Sequence, residues 1–121
     1  MEMSATTSPG QLPALRDVLW ERARNSLGIA RLLAHEGRPE PLVATACHSA
    51  VEAALRAALE HAGARYAGDV PMALARLEAP RDLWGSSEPR PRSQWLNDAQ
   101  RAVGWVSDHL RREAPERTWG F

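Results

Sequence analysis

Lysine is absent from this 121-residue sequence, and its fifteen basic residues, all arginine, are balanced by fifteen acidic residues. Because the net charge is zero, no basic excess points to nucleic acid or to an anionic membrane surface. Any polyanion would therefore have to bind a local patch. A GC-rich genome explains the preference for arginine over lysine more simply than selection for arginine chemistry.

Cysteine is almost absent as well. Cys47 stands alone, so neither an intrachain disulfide nor a cysteine-based zinc site is expected, and its apolar surroundings predict a small buried hydrophobe. The N-terminal residues lack a basic and apolar signal, and no eighteen apolar residues run together. We therefore expect a cytoplasmic chain that does not enter a membrane.

The common catalytic motifs are also missing. The sequence contains no glycine-rich phosphate loop, nucleophile elbow, paired-cysteine motif or His-Glu-x-x-His string. His48 and Glu52 share a helix face, but no third metal ligand is indicated. We predict no metal site, no cofactor and no catalytic residue.

Alanine dominates what is present, with 21 copies against six valines and one isoleucine. This composition predicts an all-α fold, which proline and glycine divide into four helical segments. We expect an antiparallel up-and-down four-helix bundle over residues 11–113, with a disordered lead at 1–10 and a tail at 114–121. The third helix is short, and a long loop over 80–93 precedes the last helix. The predicted helices run from about Pro13 to His35, Pro41 to Gly63, Val70 to about Leu77, and about Gln94 to Glu113.

Two helical segments carry a family resemblance. Residues 23–30 read Ala-Arg-Asn-Ser-Leu-Gly-Ile-Ala, and residues 50–57 read Ala-Val-Glu-Ala-Ala-Leu-Arg-Ala. Together they resemble the HEPN family of small helical bundles associated with nucleotides and RNA. The resemblance implies a nucleotide-binding or substrate-binding module, or the partner of a minimal nucleotidyltransferase in a toxin–antitoxin-like pair.

The sequence departs from the ribonuclease members of that family, which carry Arg, four to six residues, then His near the start of the last helix. Arg101 and His109 have seven residues between them, which places them about 12 Å apart along a helix and about 80° apart around it. Arg56 and His61 meet the spacing, but at the end of the second helix. We therefore expect a non-catalytic module. The alternatives are a ribonuclease whose Arg/His site is assembled across a dimer, and a purely structural interaction domain.

The candidate binding residues are mostly arginines. Glu52 lies in a mostly apolar helix, where a carboxylate needs a partner, and Arg56 is the nearest cation in sequence. A groove between the last helix and the preceding loop is the second candidate, because its cations suit an anionic ligand. Ordinary surface pairs at helical spacing are the alternative interpretation. The groove residues are Arg90, Arg92, Arg101 and His109.

Five tryptophans are many for a chain of this length. So small a core is not expected to bury all of them, and exposed tryptophan is typical of interfaces. Since dimers are common in the family that the chain resembles, we predict a homodimer through the last helix and the tail. The predicted interface residues are Trp95, Trp105 and Trp119.

Overall fold

The computed structural model describes residues 14–85 and 90–121. This part of the chain contains four α-helices and no strand, so the prediction of an all-α chain with four helices is confirmed. The predicted lead over 1–10 and the predicted first-helix start at Pro13 lie outside the described residues. The helices are α1 (Leu15–His35), α2 (Glu40–His61), α3 (Val70–Arg76) and α4 (Arg92–Glu113).

Proline and glycine set most of the helix ends. Gly37 and Gly63 follow α1 and α2 with φ of 68° and 72°, a left-handed conformation that glycine adopts without strain. The carboxylate of Asp69 accepts a hydrogen bond from the backbone N–H of Met72 and caps α3. α4 begins at Arg92, two residues before the predicted start, because Pro91 stands as its N-cap.

α2 is the central helix of the fold. Ten of its residues are buried, including five alanines, and it packs against each of the other three helices. The Arg16 side chain near the start of α1 reaches His61 at the end of α2, so these two helices are antiparallel. His61 also meets the carbonyl of Glu113 at the end of α4, so α2 and α4 run in the same direction.

The helices differ greatly in length. At 1.5 Å per residue, α2 and α4 are each about 33 Å long and α3 only about 10 Å. Among the helices, α3 contacts α2 alone. Of the three long helices, α1 therefore runs opposite to α2 and α4, so these three alone do not alternate as the expected up-and-down order requires. In the chain, α3 lies between α2 and α4.

The residues after α4 pack on the bundle. Trp119 is 1% exposed, and its indole N–H donates to the carbonyl of Ala114 at 2.9 Å. Guanidinium groups of Arg16 and Arg117 lie 5.0 and 4.7 Å from the centre of the Trp119 ring. Trp20 meets the same ring edge to face, with centroids 5.8 Å apart. The segment predicted as a tail over 114–121 therefore belongs to the packed unit.

Burial of the tryptophans corrects one expectation. Trp95 and Trp119 are 5% and 1% exposed within the single chain, so neither side chain has the surface that an interface requires. Only Trp105 among the predicted interface residues is partly exposed. Four of the five tryptophans are nevertheless buried, because alanines on α2 leave room for the large rings of Trp20, Trp84, Trp95 and Trp119.

α2 also bears on the question of a membrane. By length and composition the helix is apolar enough to cross a bilayer, but 61% of its most apolar window is buried inside the fold. An apolar helix at the centre of a packed domain has the same composition. The central position of α2 in the fold therefore explains why the helix is so apolar.

Candidate functional site

Four side chains stack between α2 and α4, and we refer to them as the aromatic stack: His48, Trp84, Trp95 and Arg90. The ring centroids of Trp84 lie 5.7 Å from those of both His48 and Trp95. The guanidinium carbon of Arg90 lies 4.2 Å from the centre of the Trp95 ring, a cation–π distance. The stack joins α2, the residues before α4 and the first turns of α4.

The hydrogen bond within the stack fixes the tautomer of His48. The indole N–H of Trp84 donates to Nδ1 of His48 over 3.2 Å. An indole can only donate, so Nδ1 accepts and the proton of the neutral imidazole sits on Nε2. His48 is exposed, and its Nε2–H is thus a donor at the protein surface. Sequence reasoning paired His48 with Glu52 and did not foresee Trp84, which lies 36 residues away.

A cleft of about 330 Å³ opens beside the stack along α2. We call it the α2 cleft; its lining includes Thr45, His48, Ser49, Glu52 and Trp95. Two hydroxyls, an imidazole and a carboxylate therefore surround the edge of one indole. The buried N–H of Trp95 has no hydrogen-bond partner within the described residues, which is a costly state for a donor.

Glu52 is held by Tyr66. The phenol donates a hydrogen bond to the Glu52 carboxylate over 3.2 Å, and burial, reinforced by the charge of Glu52, raises the pKa of Tyr66 to about 12. Arg56 lies over the Tyr66 ring at 5.6 Å from its centre. The expectation that Glu52 pairs with Arg56 is thereby corrected, because the donor to Glu52 is Tyr66 and the cation acts on the ring.

Arg90 also lines a second cleft, of about 280 Å³. We call it the arginine cleft; Arg90, Arg101, Asp82 and Asp98 line it. Arg90 forms an ion pair with Asp98, and Arg101 donates to the backbone carbonyl of Asp82 over 3.4 Å. Arg90 also lies over the ring of Trp95, so a residue that lines the arginine cleft contacts a residue that lines the α2 cleft.

The predicted groove along α4 is divided in the structure. Arg90 and Arg101 share the arginine cleft, whereas Arg92 lines a different cleft with Arg31 and His35 and donates to the Arg38 carbonyl over 3.3 Å. Pro91 lines both of these clefts. Within residues 14–85 and 90–121, the four predicted residues are therefore not gathered in one cleft.

His109 lies further along α4. Its ring stacks on Trp105 with centroids 5.2 Å apart and planes 12° from parallel. Burial lowers the pKa of His109; Glu113 acts in the opposite direction, and Arg112 and His61 add to the lowering. Since α4 is one continuous helix, Arg101 and His109 keep the separation calculated from the sequence.

His61 is a structural link rather than an exposed helix terminus. Arg16 donates to its Nδ1 over 3.1 Å, so the ring proton lies on Nε2, which donates to the Glu113 carbonyl over 3.2 Å. Both ring nitrogens are occupied by protein groups. The Arg56–His61 match to the ribonuclease spacing therefore places no free imidazole nitrogen near a substrate.

No family model, curated protein or solved structure matches this chain. The resemblance to the HEPN family accordingly stays a prediction from the sequence.

Proposed function

We propose that this chain is a non-catalytic, HEPN-type binding module, whose ligand is a nucleotide, free or presented by a nucleotidyltransferase partner. The observation that carries the proposal is that Arg90, which lines one cleft, lies over the ring of Trp95, which lines the other. One cleft offers hydrogen-bonding groups around an aromatic edge, and the other offers two guanidinium groups.

The α2 cleft suits a nucleobase. Nucleobases carry donors and acceptors on their edges, and Glu52 supplies an acceptor while His48 Nε2–H supplies a donor. Tyr66 fixes the position of the Glu52 carboxylate, so the acceptor is already oriented before a ligand arrives.

The arginine cleft suits the phosphate of the same ligand. Guanidinium groups bind phosphate oxygens through charge-assisted hydrogen bonds, and Arg90 and Arg101 line this cleft together. Asp82 and Asp98 line it as well, and their charge opposes that of a phosphate. We therefore expect a modest affinity, with a dissociation constant on the order of 100 µM for a nucleoside monophosphate.

Calorimetric titration with adenosine, guanosine, cytidine and uridine monophosphates tests this proposal. Arg101→Ala removes one charge-assisted contact to phosphate, so we expect roughly tenfold weaker binding. Arg111→Ala is the matched control, because Arg111 lies on the same helix, is exposed, and pairs only locally with Asp108. The two variants carry the same change in net charge.

Glu52→Gln tests the base side of the site. An amide in place of the carboxylate alters the acceptor that faces the base, so the order of preference among the four monophosphates should change while binding of inorganic phosphate does not. The proposal fails if none of the four binds at millimolar concentration. It also fails if Arg111→Ala weakens binding as much as Arg101→Ala does.

The non-catalytic part of the proposal predicts that the purified protein does not cleave RNA. General acid–base catalysis at a phosphodiester needs a titrating group within about 3 Å of the proton it moves, and a cation beside the developing charge. His61 is occupied at both nitrogens, and His109 is two turns of α4 away from Arg101. Cleavage that is lost in both His109→Ala and Arg101→Ala would instead favour a ribonuclease assembled across a dimer, whereas activity unchanged by either variant indicates a contaminant.

A further inference from the structure

The outward face of α1 carries apolar side chains that no part of residues 14–85 and 90–121 covers. Leu15, Val18, Ile29 and Leu32 are 53%, 39%, 53% and 56% exposed. Of the seven exposed large apolar side chains in the described ranges, these four lie on α1 and none lies on α4. The apolar surface available to a partner is thus on the first helix, not on the helix for which the sequence predicted it.

The exposed residues follow a regular spacing. Steps of three, four, three, four and three residues run from position 15 to position 32, which is the 3.5-residue period of a coiled-coil contact. The core side chains of the same helix, such as Trp20, Ala23 and Leu27, occupy the other side. We call this row the outer seam: Leu15, Val18, Arg22, Asn25, Ile29 and Leu32.

The order of apolar and polar residues in the outer seam is the same in both directions along the helix. It has two apolar residues at each end and two polar residues, Arg22 and Asn25, in the middle. In an antiparallel pair of α1 helices centred between Ala23 and Arg24, each apolar seam residue faces an apolar one and each polar seam residue faces a polar one. The pairs across such an interface are Leu15 with Leu32, Val18 with Ile29, and Arg22 with Asn25.

Other arrangements of the same two faces are mismatched. A parallel pair in register sets Arg22 against Arg22 of the partner, which is unfavourable between like charges. An antiparallel pair shifted by one full heptad sets Arg22 against Val18 or Leu32, and so buries a guanidinium against an apolar side chain. Only the centred antiparallel register gives the arginine an amide oxygen as acceptor, and one polar pair within an apolar seam is a known means of fixing register.

We infer that the chain forms a two-fold symmetric homodimer through the outer seam of α1, with the helices antiparallel and centred between Ala23 and Arg24. A closed two-fold contact uses the same patch on both subunits. The symmetric order of residues in the outer seam meets this requirement. Binding to an unrelated partner would not require such symmetry. A shallow hollow of about 480 Å³ beside Val18, Arg22 and Asn25 receives side chains of the partner helix. The clefts beside the aromatic stack are lined by residues of α2, α4 and the 82–91 segment, so both copies keep them accessible.

Sedimentation across a concentration series tests the interface. With four half-exposed side chains per subunit we expect a weak dimer, with a dissociation constant on the order of 10 µM. Ile29→Glu brings a carboxylate into the seam and should leave only monomer at about 200 µM. Met72→Glu is the matched control, because Met72 is 56% exposed on α3, and it should sediment as the wild type does. Circular dichroism of both variants checks that each is folded.

Cross-linking tests the register. A chain with Val18→Cys is mixed with a chain with Ile29→Cys, and a short bis-maleimide is added. We expect cross-linked dimers from the mixture and few from either variant alone. Cys47 does not interfere, because it is fully buried and burial raises its thiol pKa to about 11, while wild-type chain without a seam cysteine gives the background.

Three results would overturn the inference. The first is a wild-type chain that is monomeric at all concentrations. The second is a dimer that persists in Ile29→Glu, which would place the interface elsewhere. The third is efficient cross-linking of Val18→Cys to itself, which would indicate a parallel pair.

Discussion

The imidazole of His109 is partly shielded from solvent by its stacking on Trp105. Burial lowers its pKa below the usual 6.5 because the charged ring loses hydration in that position. Trp105→Ala opens the ring to water and should raise the His109 pKa toward its ordinary value. Trp105→Phe keeps an aromatic face and should leave the pKa low. Titration of the four histidines by NMR measures this, and a wild-type His109 that titrates at or above 6.5 would contradict it.

The same shift makes stability depend on pH. The folded pKa of His109 is lower than the unfolded one, so between the two values the unfolded chain binds more protons. The contribution of His109 to the free energy of unfolding is therefore undiminished above pH 6.5 and falls as the pH drops from 6.5 through the folded pKa. Between pH 7.5 and 5.5, the free energy of unfolding measured with urea should therefore fall less in His109→Asn than in the wild type.

The partners of polar residues are the part of the site that the sequence does not reveal. Tyr66 holds Glu52 from 14 residues away, Trp84 binds His48 from 36 residues away, and Arg16 binds His61 from 45 residues away. Helical spacing points to neighbours three or four positions along, and so it led to Arg56 for Glu52. Contacts made across a bundle depend on which helix faces which, and no local pattern encodes that.

At the scale of elements, the segment after α4 is attached to the core by Ala114 and Trp119, its two buried residues. Trp119→Ala removes a large side chain that is 1% exposed, and we expect a loss of about 3–5 kcal/mol in the free energy of unfolding. Phe121→Ala is the control, because Phe121 is 42% exposed and should cost about 1 kcal/mol or less. Urea unfolding of the two variants compares them. A loss for Trp119→Ala of only about 1 kcal/mol, as expected for Phe121→Ala, would mean that the tail contributes little to the core.

Ion pairs assist in docking this segment. Arg117 binds Asp17 and Glu21 on α1, each over 2.7 Å. Burial acts to raise the pKa of the Asp17 carboxyl, but hydrogen bonds and charge from Arg117 and Arg16 outweigh it, and the net pKa is lowered. The paired carboxylate stabilises the fold at neutral pH, and this contribution is lost as the pH falls below 3.8 through the lowered value.

The helices were predictable and the docking of the tail was not. Alanine content, Asp69 as a cap and the glycines that follow α1 and α2 all act within a few residues, which is the range that sequence patterns describe. The tail has no periodicity, and its position depends on Trp119 meeting Trp20 almost a hundred residues away. A short irregular segment held by one large side chain leaves no periodic signal.

The whole molecule consists of three long helices with a short α3 on α2, and two of its surfaces have distinct proposed roles. The outer seam of α1 is on the first helix, whereas the aromatic stack lies between α2 and α4. A dimer through α1 would therefore present two copies of the stack. Of these two surfaces, the stack is the one beside which we propose that a nucleotide binds.

The most direct measurement follows the five indole N–H resonances of the ¹⁵N-labelled protein during titration with a nucleoside monophosphate. Trp84 and Trp95 belong to the stack, whereas Trp20 and Trp119 pack between α1 and the tail. We predict saturable shifts of the Trp84 and Trp95 signals, with those of Trp20 and Trp119 unchanged, and loss of the shifts in Arg101→Ala at the same nucleotide concentration. Shifts confined to Trp105, or no shifts at millimolar nucleotide, would contradict the proposed site.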